Sequence, residues 1–399
     1  MKKNSRITPE GTKDYLFEEC MLRRKIERQL SGVFEEHCFR EVMTPGLEFY
    51  DVYDPDFSGI PQEIMYKMTD RLGRLLVMRP DNTLSIARLT ATRLQNLPKP
   101  VRLYYTQPVY RNNPGLNGRN NENLQMGIEL LGVGGLRADL EAVTMAVDAL
   151  SRCVPGFRLE LGHARFFRAL SASLPEETRE AVRSAIESKN YTALGALLDP
   201  LGDGEAVRAL RALPRLFGGE EVFAQAAPFC TGELKQTLAS LHGIYRSLAE
   251  YGLGDRLIVD LGLVQRNDYY TGIVFSAYVE EYGDAVLLGG RYDNLLEHFG
   301  QPMPAVGFGV NVDAIAHALS QRNRAAAPGH AEVLVHGEPG NEMKALRYAA
   351  ELTAAGTHCE SSVFAAEEEA RAYALETGIG RIDVVGETVR TIPLNGGKT

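Results

Sequence analysis

The 399-residue sequence has few cysteines, no long apolar run and no excess of basic residues. Its five cysteines are scattered singly without a C-x-x-C pair, which argues against a zinc site and a disulfide framework. No apolar run approaches the length of a membrane span, and MKKNSRITPE at the start lacks the apolar core of a signal peptide. We therefore expect a cytoplasmic protein that binds neither a metal nor a membrane.

The charge balance is acidic, with 43 Lys and Arg residues against 52 Asp and Glu residues and a net charge of −9. Such a balance gives no electrostatic footprint for nucleic acid. The composition, 44% hydrophobic and 24% charged, is ordinary for a globular protein. A chain of this length has room for two or three domains.

The first part of the chain mixes helical and extended patterns. Apolar residues at helical spacing predict helices over 18–38, 137–152 and 311–321. Extended patterns predict strands over 75–79, 102–111, 125–131, 256–264, 271–280 and 284–290. Residues 174–252, rich in Ala, Leu, Glu and Arg, indicate a helical insertion. This order of elements predicts an α+β core.

The C-terminal part has a different organisation. The stretch QRNRAAAPGH (321–330) has the small and turn-forming residues of a linker. The segment EVLVHG, helical patterns over 341–355 and 366–377, and RIDVVG then alternate as a small α/β domain does. We therefore predict two domains, residues 1–322 with the insertion at about 174–252, and residues 330–399.

Four segments, in order, carry a family resemblance. They are GTKDY (11–15) with FREVMTP (39–45), Tyr110-Arg111 through Gly118-Arg119 to Gln125 and Glu129, LVQRNDYYTG (263–272), and LLGGRYDNLL (287–296) with PAVGFGVNVDAI (304–315). Together they resemble the histidyl-tRNA synthetase family, namely its first two class II motifs, its histidine-recognition segment, and its glycine-rich segment with the third motif. The resemblance implies a class II aminoacyl-tRNA synthetase-like antiparallel sheet flanked by helices, with Pro45 at a subunit interface.

The resemblance also implies a histidine pocket. An amino-acid ligand brings an ammonium and a carboxylate, so its pocket needs converging polar groups in a partly dry site. By their match to the family, the binding residues are Asp81, Thr83, Arg111, Gln125, Glu129, Tyr269 and Tyr270. The two tyrosines would help to enclose the imidazole. We expect the two tyrosines to alternate across a strand, so at most one hydroxyl points into a given face.

Several charged groups that amino-acid activation requires are missing. Activation accumulates negative charge at the α-phosphate of ATP, and arginine side chains must neutralise it. Where the family has an acidic residue after its second-motif arginine, this chain has Asn113. Where the family has arginines at three further positions, this chain has Asn121, Gln265 and Ala314. Arg266 follows Gln265, but strand alternation sends it to the opposite face unless a bulge intervenes. We therefore predict a protein with no catalytic residues of its own and no cofactor.

A sequence that keeps the amino-acid contacts without the activating chemistry resembles the regulatory subunits of ATP phosphoribosyltransferase. That resemblance implies a homodimer that joins a short-form catalytic subunit in a hetero-oligomer. The reaction of the catalytic subunit would be the first step of histidine biosynthesis, and histidine would be its feedback effector. Residues 329–399 carry 6 basic against 11 acidic residues, which suits tRNA poorly. Two alternatives stay open, a stand-alone amino-acid- or RNA-binding protein and a divergent active histidyl-tRNA synthetase.

Overall fold

The structure, a computed structural model, describes residues 6–113, 120–264, 269–322 and 331–394. The chain separates into two compact units, Met1–Arg322 and Asn323–Thr399. The α-helices within the described ranges are α1 (Phe17–Glu36), α2 (Pro55–Ser58), α3 (Asn82–Arg93), α4 (Leu136–Cys153), α5 (Arg165–Leu170), α6 (Glu176–Glu187), α7 (Tyr191–Leu198), α8 (Glu205–Ala212), α9 (Glu221–Ala226), α10 (Gly232–Leu248), α11 (Val312–Arg322), α12 (Glu342–Ala354) and α13 (Glu367–Thr377).

The strands of the described ranges form three sheets. They are β1 (Arg40–Glu41), β2 (Leu47–Phe49), β3 (Lys67–Thr69), β4 (Leu75–Met78), β5 (Val101–Tyr110), β6 (Glu122–Leu131), β7 (Arg158–His163), β8 (Phe217–Gly218), β9 (Leu257–Asp260), β10 (Ile273–Tyr278), β11 (Leu287–Arg291), β12 (Ala305–Asn311), β13 (Val333–Gly337), β14 (Cys359–Ser361), β15 (Arg381–Val385) and β16 (Val389–Pro393). The strands of the largest sheet lie in the order β1-β5-β6-β12-β11-β10-β7-β9-β8.

This nine-stranded sheet is antiparallel except where β1 meets β5 and where β7 meets β9. Neighbouring strands are held in a register that aligns Ile128, Phe308, Gly289, Phe275 and Leu161 in one row across five of them. The side chains of such a row point to one face of the sheet. That face is apolar and packs into the main core. The strand pairing and the helices packed on this face confirm the predicted class II-like, mainly antiparallel sheet flanked by helices.

Helices α1, α4 and α11 cover the apolar face. In α1, the buried residues Ile26, Leu30, Val33 and Phe34 recur at a spacing of three to four, so they share one side of the helix. Fully burying one such side chain stabilises the fold by roughly 1.5–3 kcal/mol. The Phe34 ring meets the Phe308 ring of β12 edge-on, with the centroids 6.0 Å apart. This packing leaves the opposite face of the sheet available for a site.

Helices α6 to α10 follow β7 and occupy the part of the chain where the sequence predicts a helical insertion. The longest of them, α10, buries Leu238, Leu241, Ile244 and Leu248 and packs against α4 and β7. The chain then bends at Gly252, whose φ of 97° lies in the left-handed region that favours glycine. It enters β9 directly afterwards.

A small sheet, in the order β2-β4-β3, stands apart from the large one. Its inner face carries Val77, which is fully buried, and Glu48, whose Oε1 accepts a hydrogen bond from Arg88 Nη2 at 2.7 Å. The outer face is apolar, because the register aligns Leu47 with Met78, and Leu76 with both Phe49 and Met68. Leu47, Phe49 and Met68 are exposed on this face.

The second unit contains a four-stranded sheet in the order β14-β13-β15-β16. Strand β13 runs parallel to β14 and β15, and β16 runs antiparallel to β15. Helices α12 and α13 connect these strands, and their residues belong to two separate apolar clusters. This is the small α/β arrangement that the alternating pattern predicts. Throughout the described parts of both units, each helix is too short or too polar to cross a membrane.

Candidate functional site

A cavity of about 540 Å³ lies in the first unit, and side chains of the large sheet line it. The register aligns Glu129 of β6 with Gly307 of β12, and Gly307 with Gly290 of β11. Glu129 thus points to the face opposite Ile128, away from the apolar core. The neighbouring glycines leave room above the sheet for larger groups.

Three glycines of β11 and β12 are required by the side chains packed over them. A Cβ at Gly307 would lie 2.0 Å from Glu129 Oε2, and one at Gly309 would lie 2.4 Å from Gln125 Nε2. A Cβ at Gly290 would lie 2.6 Å from the Tyr270 ring. These distances are far below van der Waals contact, so the glycine-rich strands let these side chains lie directly on the backbone.

Glu129 is the most buried carboxylate of the cavity, with 1% of its surface exposed. Thr83 Oγ1 donates a hydrogen bond to Glu129 Oε1 at 2.7 Å, and the Tyr292 hydroxyl donates a short one to Oε2. Burial raises the pKa of Glu129 to about 8, although both hydrogen bonds favour the carboxylate. An ammonium group bound here would restore the charged form and pair with it.

Asp81 lies at the N-cap of α3 and is buried. Its Oδ1 accepts a hydrogen bond from the Leu84 amide at 3.1 Å, and its carbonyl accepts one from the Tyr53 hydroxyl at 2.7 Å. Burial raises the pKa of Asp81, and the nearby Arg111 guanidinium opposes that shift. Arg111 Nε donates to the Pro80 carbonyl at 2.9 Å, which holds the guanidinium beside the start of α3.

An amide lies next along β6. Gln125 Oε1 accepts a hydrogen bond from Asn82 Nδ2 at 2.9 Å and one from the Tyr105 hydroxyl at 3.4 Å. Asn82 is fully buried, so this contact holds the Gln125 amide in one orientation over Gly309. The amide nitrogen of Gln125 is thereby presented as a hydrogen-bond donor beside the carboxylates.

Tyr269 and Tyr270 both line this cavity, with their ring centroids 4.8 Å apart. The expectation that the two tyrosines alternate across a strand is wrong. They lie in the turn before β10, which starts at Ile273, so strand geometry does not separate them. A third tyrosine, Tyr292, has its ring centroid 5.7 Å from that of Tyr269. The cavity therefore has an aromatic wall as well as polar groups.

All seven residues of the expected histidine pocket line this one cavity: Asp81, Thr83, Arg111, Gln125, Glu129, Tyr269 and Tyr270. Sequence reasoning missed Tyr292 and Tyr105, which also line the cavity, and Asn82, which donates a hydrogen bond to Gln125. Tyr292 belongs to the segment LLGGRYDNLL, and a hydroxyl directly after a glycine-rich strand was the available signal. No comparable signal marks the partners of Gln125, which lie 43 and 20 residues away along the chain.

The four positions at which we expect synthetase residues to be lost lie in different surroundings. The Asn113 amide nitrogen Nδ2 donates to the Asn120 carbonyl at 2.9 Å, and its backbone amide donates to Asn121 Oδ1 at 2.9 Å. Asn121 Nδ2 in turn donates to the Glu10 carbonyl at 3.0 Å, which ties the N-terminal segment to this hairpin. Ala314 is buried in the first turn of α11. Gln265, with Arg266, lies outside the described residues.

The far end of the cavity is lined by acidic groups. Burial and the neighbouring Asp260 raise the pKa of Glu160 to about 7, and burial raises the pKa of Asp260 to about 6. Lys189 faces both carboxylates and opposes both shifts. Within the described ranges, no group of three or more His, Cys, Asp or Glu side chains has an arrangement that holds a metal ion.

Known proteins are similar to this chain in sequence. The histidyl-tRNA synthetase family profile matches residues 11–315. The ATP phosphoribosyltransferase regulatory subunit of Clostridium botulinum (strain 657 / Type Ba4) is 39% identical, over 94% of this chain and 90% of that protein. The protein of the same name from Clostridium kluyveri is 40% identical, over 92% of this chain and 95% of that protein.

Solved structures agree with the sequence comparison. A crystal structure described as an ATP phosphoribosyltransferase regulatory subunit/histidyl-tRNA synthetase from Bacillus halodurans superposes with a TM-score of 0.80 at 29% identity. It covers 92% of this chain and 96% of its own. Histidyl-tRNA synthetase from Nostoc sp. PCC 7120, at 19% identity, shares the fold with a TM-score of 0.70, over 98% of this chain and 95% of that one. The chain belongs to the histidyl-tRNA synthetase-like family of ATP phosphoribosyltransferase regulatory subunits.

Proposed function

We propose that this chain is the non-catalytic subunit through which histidine controls a short-form ATP phosphoribosyltransferase catalytic subunit in the cytoplasm. It would be required for the first step of histidine biosynthesis and would mediate feedback inhibition by histidine. The observation that carries the proposal is the cavity around Glu129, where carboxylates, an oriented amide and aromatic rings converge. Those are the groups that an amino acid with an imidazole side chain needs.

The roles in the pocket follow from charge. Glu129 and Asp81 accept hydrogen bonds from the ligand ammonium, and Thr83 and Gln125 orient these acceptors or contact the ligand directly. Arg111 offers a guanidinium to the ligand carboxylate, a pairing that is favourable in both charge and shape. Tyr269 and Tyr270 enclose the imidazole. Burial strengthens each of these contacts, because the local dielectric constant is lower than that of water.

We infer that several of the charged groups that a synthetase uses at the reacting phosphate are lost in this chain, although Arg111 remains. Asn113 and Asn121 are neutral, and their side-chain amides donate hydrogen bonds to the Asn120 and Glu10 carbonyls. Ala314 has no polar side-chain atom, and Gln265 is taken as a fourth lost position on its sequence alone. Losing one transition-state donor costs on the order of a hundredfold or more in rate. We therefore expect histidine binding without histidine-dependent ATP–pyrophosphate exchange, and no tRNA charging.

A homodimer is supported by the outer face of the small sheet. Leu47, Phe49 and Met68 form an exposed apolar strip on it, directly after Pro45 of the segment that resembles the class II subunit interface. Exposed apolar patches of this kind mark protein–protein contacts. A second copy of the chain is the occupant we propose.

Leu47→Arg tests the homodimer, because it places a charge on the strip. We expect the variant to elute as a monomer in size-exclusion chromatography with light scattering, whereas Leu201→Arg, on the helical insertion, keeps the wild-type mass. Equal masses for both variants would show that the small sheet is not part of the dimer interface.

Reconstitution tests the function as a whole. Phosphoribosyl-ATP formation by a short-form catalytic subunit is measured with and without this chain, and the mixture is passed over a sizing column. We expect the chain to co-elute with the catalytic subunit and to raise its rate. If the two proteins elute separately and the rate does not change, the regulatory function is refuted.

A further inference from the structure

A second cavity of about 310 Å³ adjoins the first, and Tyr270 lines both of them. The second cavity lies where helices α5 and α6 meet β10 and the segment after β9. Its apolar wall includes Phe167, Leu263 and Val274. A cavity with a firm apolar wall can hold a charged ligand in place if charged side chains of opposite sign also line it.

Three arginines line this second cavity. Arg168 comes from α5, and Arg179 and Arg183 come from α6, whereas two carboxylates, Glu176 and Glu180, face them. Arg183 Nε donates to Glu180 Oε2 at 3.0 Å. Arg179 Nη2 lies 3.9 Å from Glu176 Oε1, and the Glu176 side chain is 85% exposed. The lining therefore carries an excess of positive charge.

The ion pairs along α6 are weak enough to be exchanged. They join residues three positions apart on a helix, and the glutamate of each pair is solvent-exposed, whereas the arginines are partly buried. Surface ion pairs of this spacing contribute about 0.2–1 kcal/mol. A phosphate group carries a charge of about −1.5 to −2 at neutral pH and has three acceptor oxygens. Guanidinium forks match such oxygens in pairs. A phosphate in this cavity would therefore compete with the exposed glutamates for these arginines.

His163 lies beside the helix that carries Arg168 and experiences its positive charge. Burial, followed by the Arg165 and Arg168 guanidinium groups, lowers the pKa of His163 to about 4. His163 ends β7, just before α5. The imidazole therefore stays uncharged at neutral pH, and the positive charge beside this cavity comes from the arginines.

One contact links this cavity to the amino-acid pocket. Arg168 Nη2 donates a hydrogen bond to the Tyr270 carbonyl at 3.1 Å. The Tyr270 ring lies over Gly290 in the first cavity. A ligand that draws the Arg168 guanidinium toward the second cavity would change how Tyr270 is held, and with it the shape of the first cavity.

We propose that the cavity lined by Arg168, Arg179 and Arg183 is an effector site for a small phosphate-class anion, whose binding alters the amino-acid pocket through Arg168 and Tyr270. The existence of the anion site stands on its own geometry. The effect of the bound anion on histidine binding rests on the proposed function.

Titration calorimetry with the full chain tests the site, with sodium pyrophosphate and inorganic phosphate as separate probes at constant ionic strength. We expect saturable binding to the wild type and at least tenfold weaker binding to Arg179→Gln and to Arg183→Gln. Arg208→Gln is the matched control, because it removes the same charge from an exposed position on the same insertion. Its pyrophosphate affinity should equal that of the wild type, and circular dichroism verifies the fold of each variant.

The anion site and its coupling to histidine binding are tested separately. No saturable binding of either probe, or equal loss in all three variants, overturns the anion site. If pyrophosphate binds as expected, histidine is titrated with and without saturating pyrophosphate. A shift of at least fivefold that disappears in Arg168→Gln supports the coupling, and an unchanged histidine affinity refutes it. Absence of histidine binding under all conditions refutes the proposed function, while the anion titrations still decide the site.

Discussion

Replacing Glu129 with glutamine should stabilise the ligand-free protein while it weakens histidine binding. The folded protein holds this carboxyl with a pKa of about 8, against an ordinary value of 4.5. Between these two values the folded state binds more protons than the unfolded state, so its stability falls as the pH rises. Each pH unit between the two pKa values corresponds to about 1.4 kcal/mol, which gives a loss on the order of 3–5 kcal/mol between pH 4.5 and pH 8. Glu129→Gln removes this loss.

The binding effect has the opposite sign. Glutamine keeps the shape and remains able to bond to Thr83 and Tyr292, but it offers no charge to an ammonium. A hydrogen bond to a charged group contributes about 1.5–3 kcal/mol, so we expect histidine affinity to fall by roughly 10- to 100-fold. For the wild type, affinity should rise with pH between 6 and 8, because the ligand needs the ionised carboxylate. Binding at pH 7 should release a proton.

Two assays examine this variant. In urea unfolding at pH 8, Glu129→Gln should have a higher free energy of unfolding than the wild type. At pH 5 this difference should be much smaller. Calorimetry in buffers of different ionisation enthalpy measures the histidine affinity and the released proton. A variant that is less stable than the wild type at pH 8, or that binds histidine equally well, would refute the assigned burial and role of this carboxylate.

Two further substitutions examine the same pocket. Gly307→Ala places a methyl group onto the Glu129 carboxylate and a neighbouring carbonyl, so it should abolish histidine binding. It should also lower the free energy of unfolding, measured in urea, by more than about 1–3 kcal/mol. Gly195→Ala, in a helix with open space around it, should instead stabilise by about 0.5–1 kcal/mol, and a destabilised control would contradict this packing. Tyr292→Phe removes a hydrogen bond that favours the Glu129 carboxylate, so the pH at which histidine affinity reaches half its maximum should move upward. An unchanged midpoint would show that the Tyr292 hydroxyl does not contact the carboxylate in solution.

Local periodicity explains why much of the large sheet could be predicted from the sequence. The strand predicted over 102–111 is found at Val101–Tyr110, and the helix predicted over 137–152 is found at Leu136–Cys153. In both, burial alternates or repeats with the period of the element. The glycine-rich segment was recognised as part of a family pattern, and its physical reason became clear only with Glu129 and Gln125 lying over the backbone.

Contacts between distant residues could not be predicted in the same way. Tyr269 and Tyr270 were expected to alternate, but the strand begins at Ile273 because the chain turns first, and periodicity does not show where a strand starts. The Tyr292 partner of Glu129 depends on which residues of β6, β12 and β11 face each other. That register is a property of the whole sheet, so a pattern within one segment does not contain it.

Histidine inhibition of the reconstituted enzyme tests the central claim most directly. Phosphoribosyl-ATP formation by the catalytic subunit is titrated with histidine in the presence of the wild-type chain and, separately, of Glu129→Gln. We expect inhibition with the wild type, and a half-inhibitory concentration at least tenfold higher with the variant at an equal uninhibited rate. Equal inhibition with both chains would place the histidine sensor elsewhere and contradict the account.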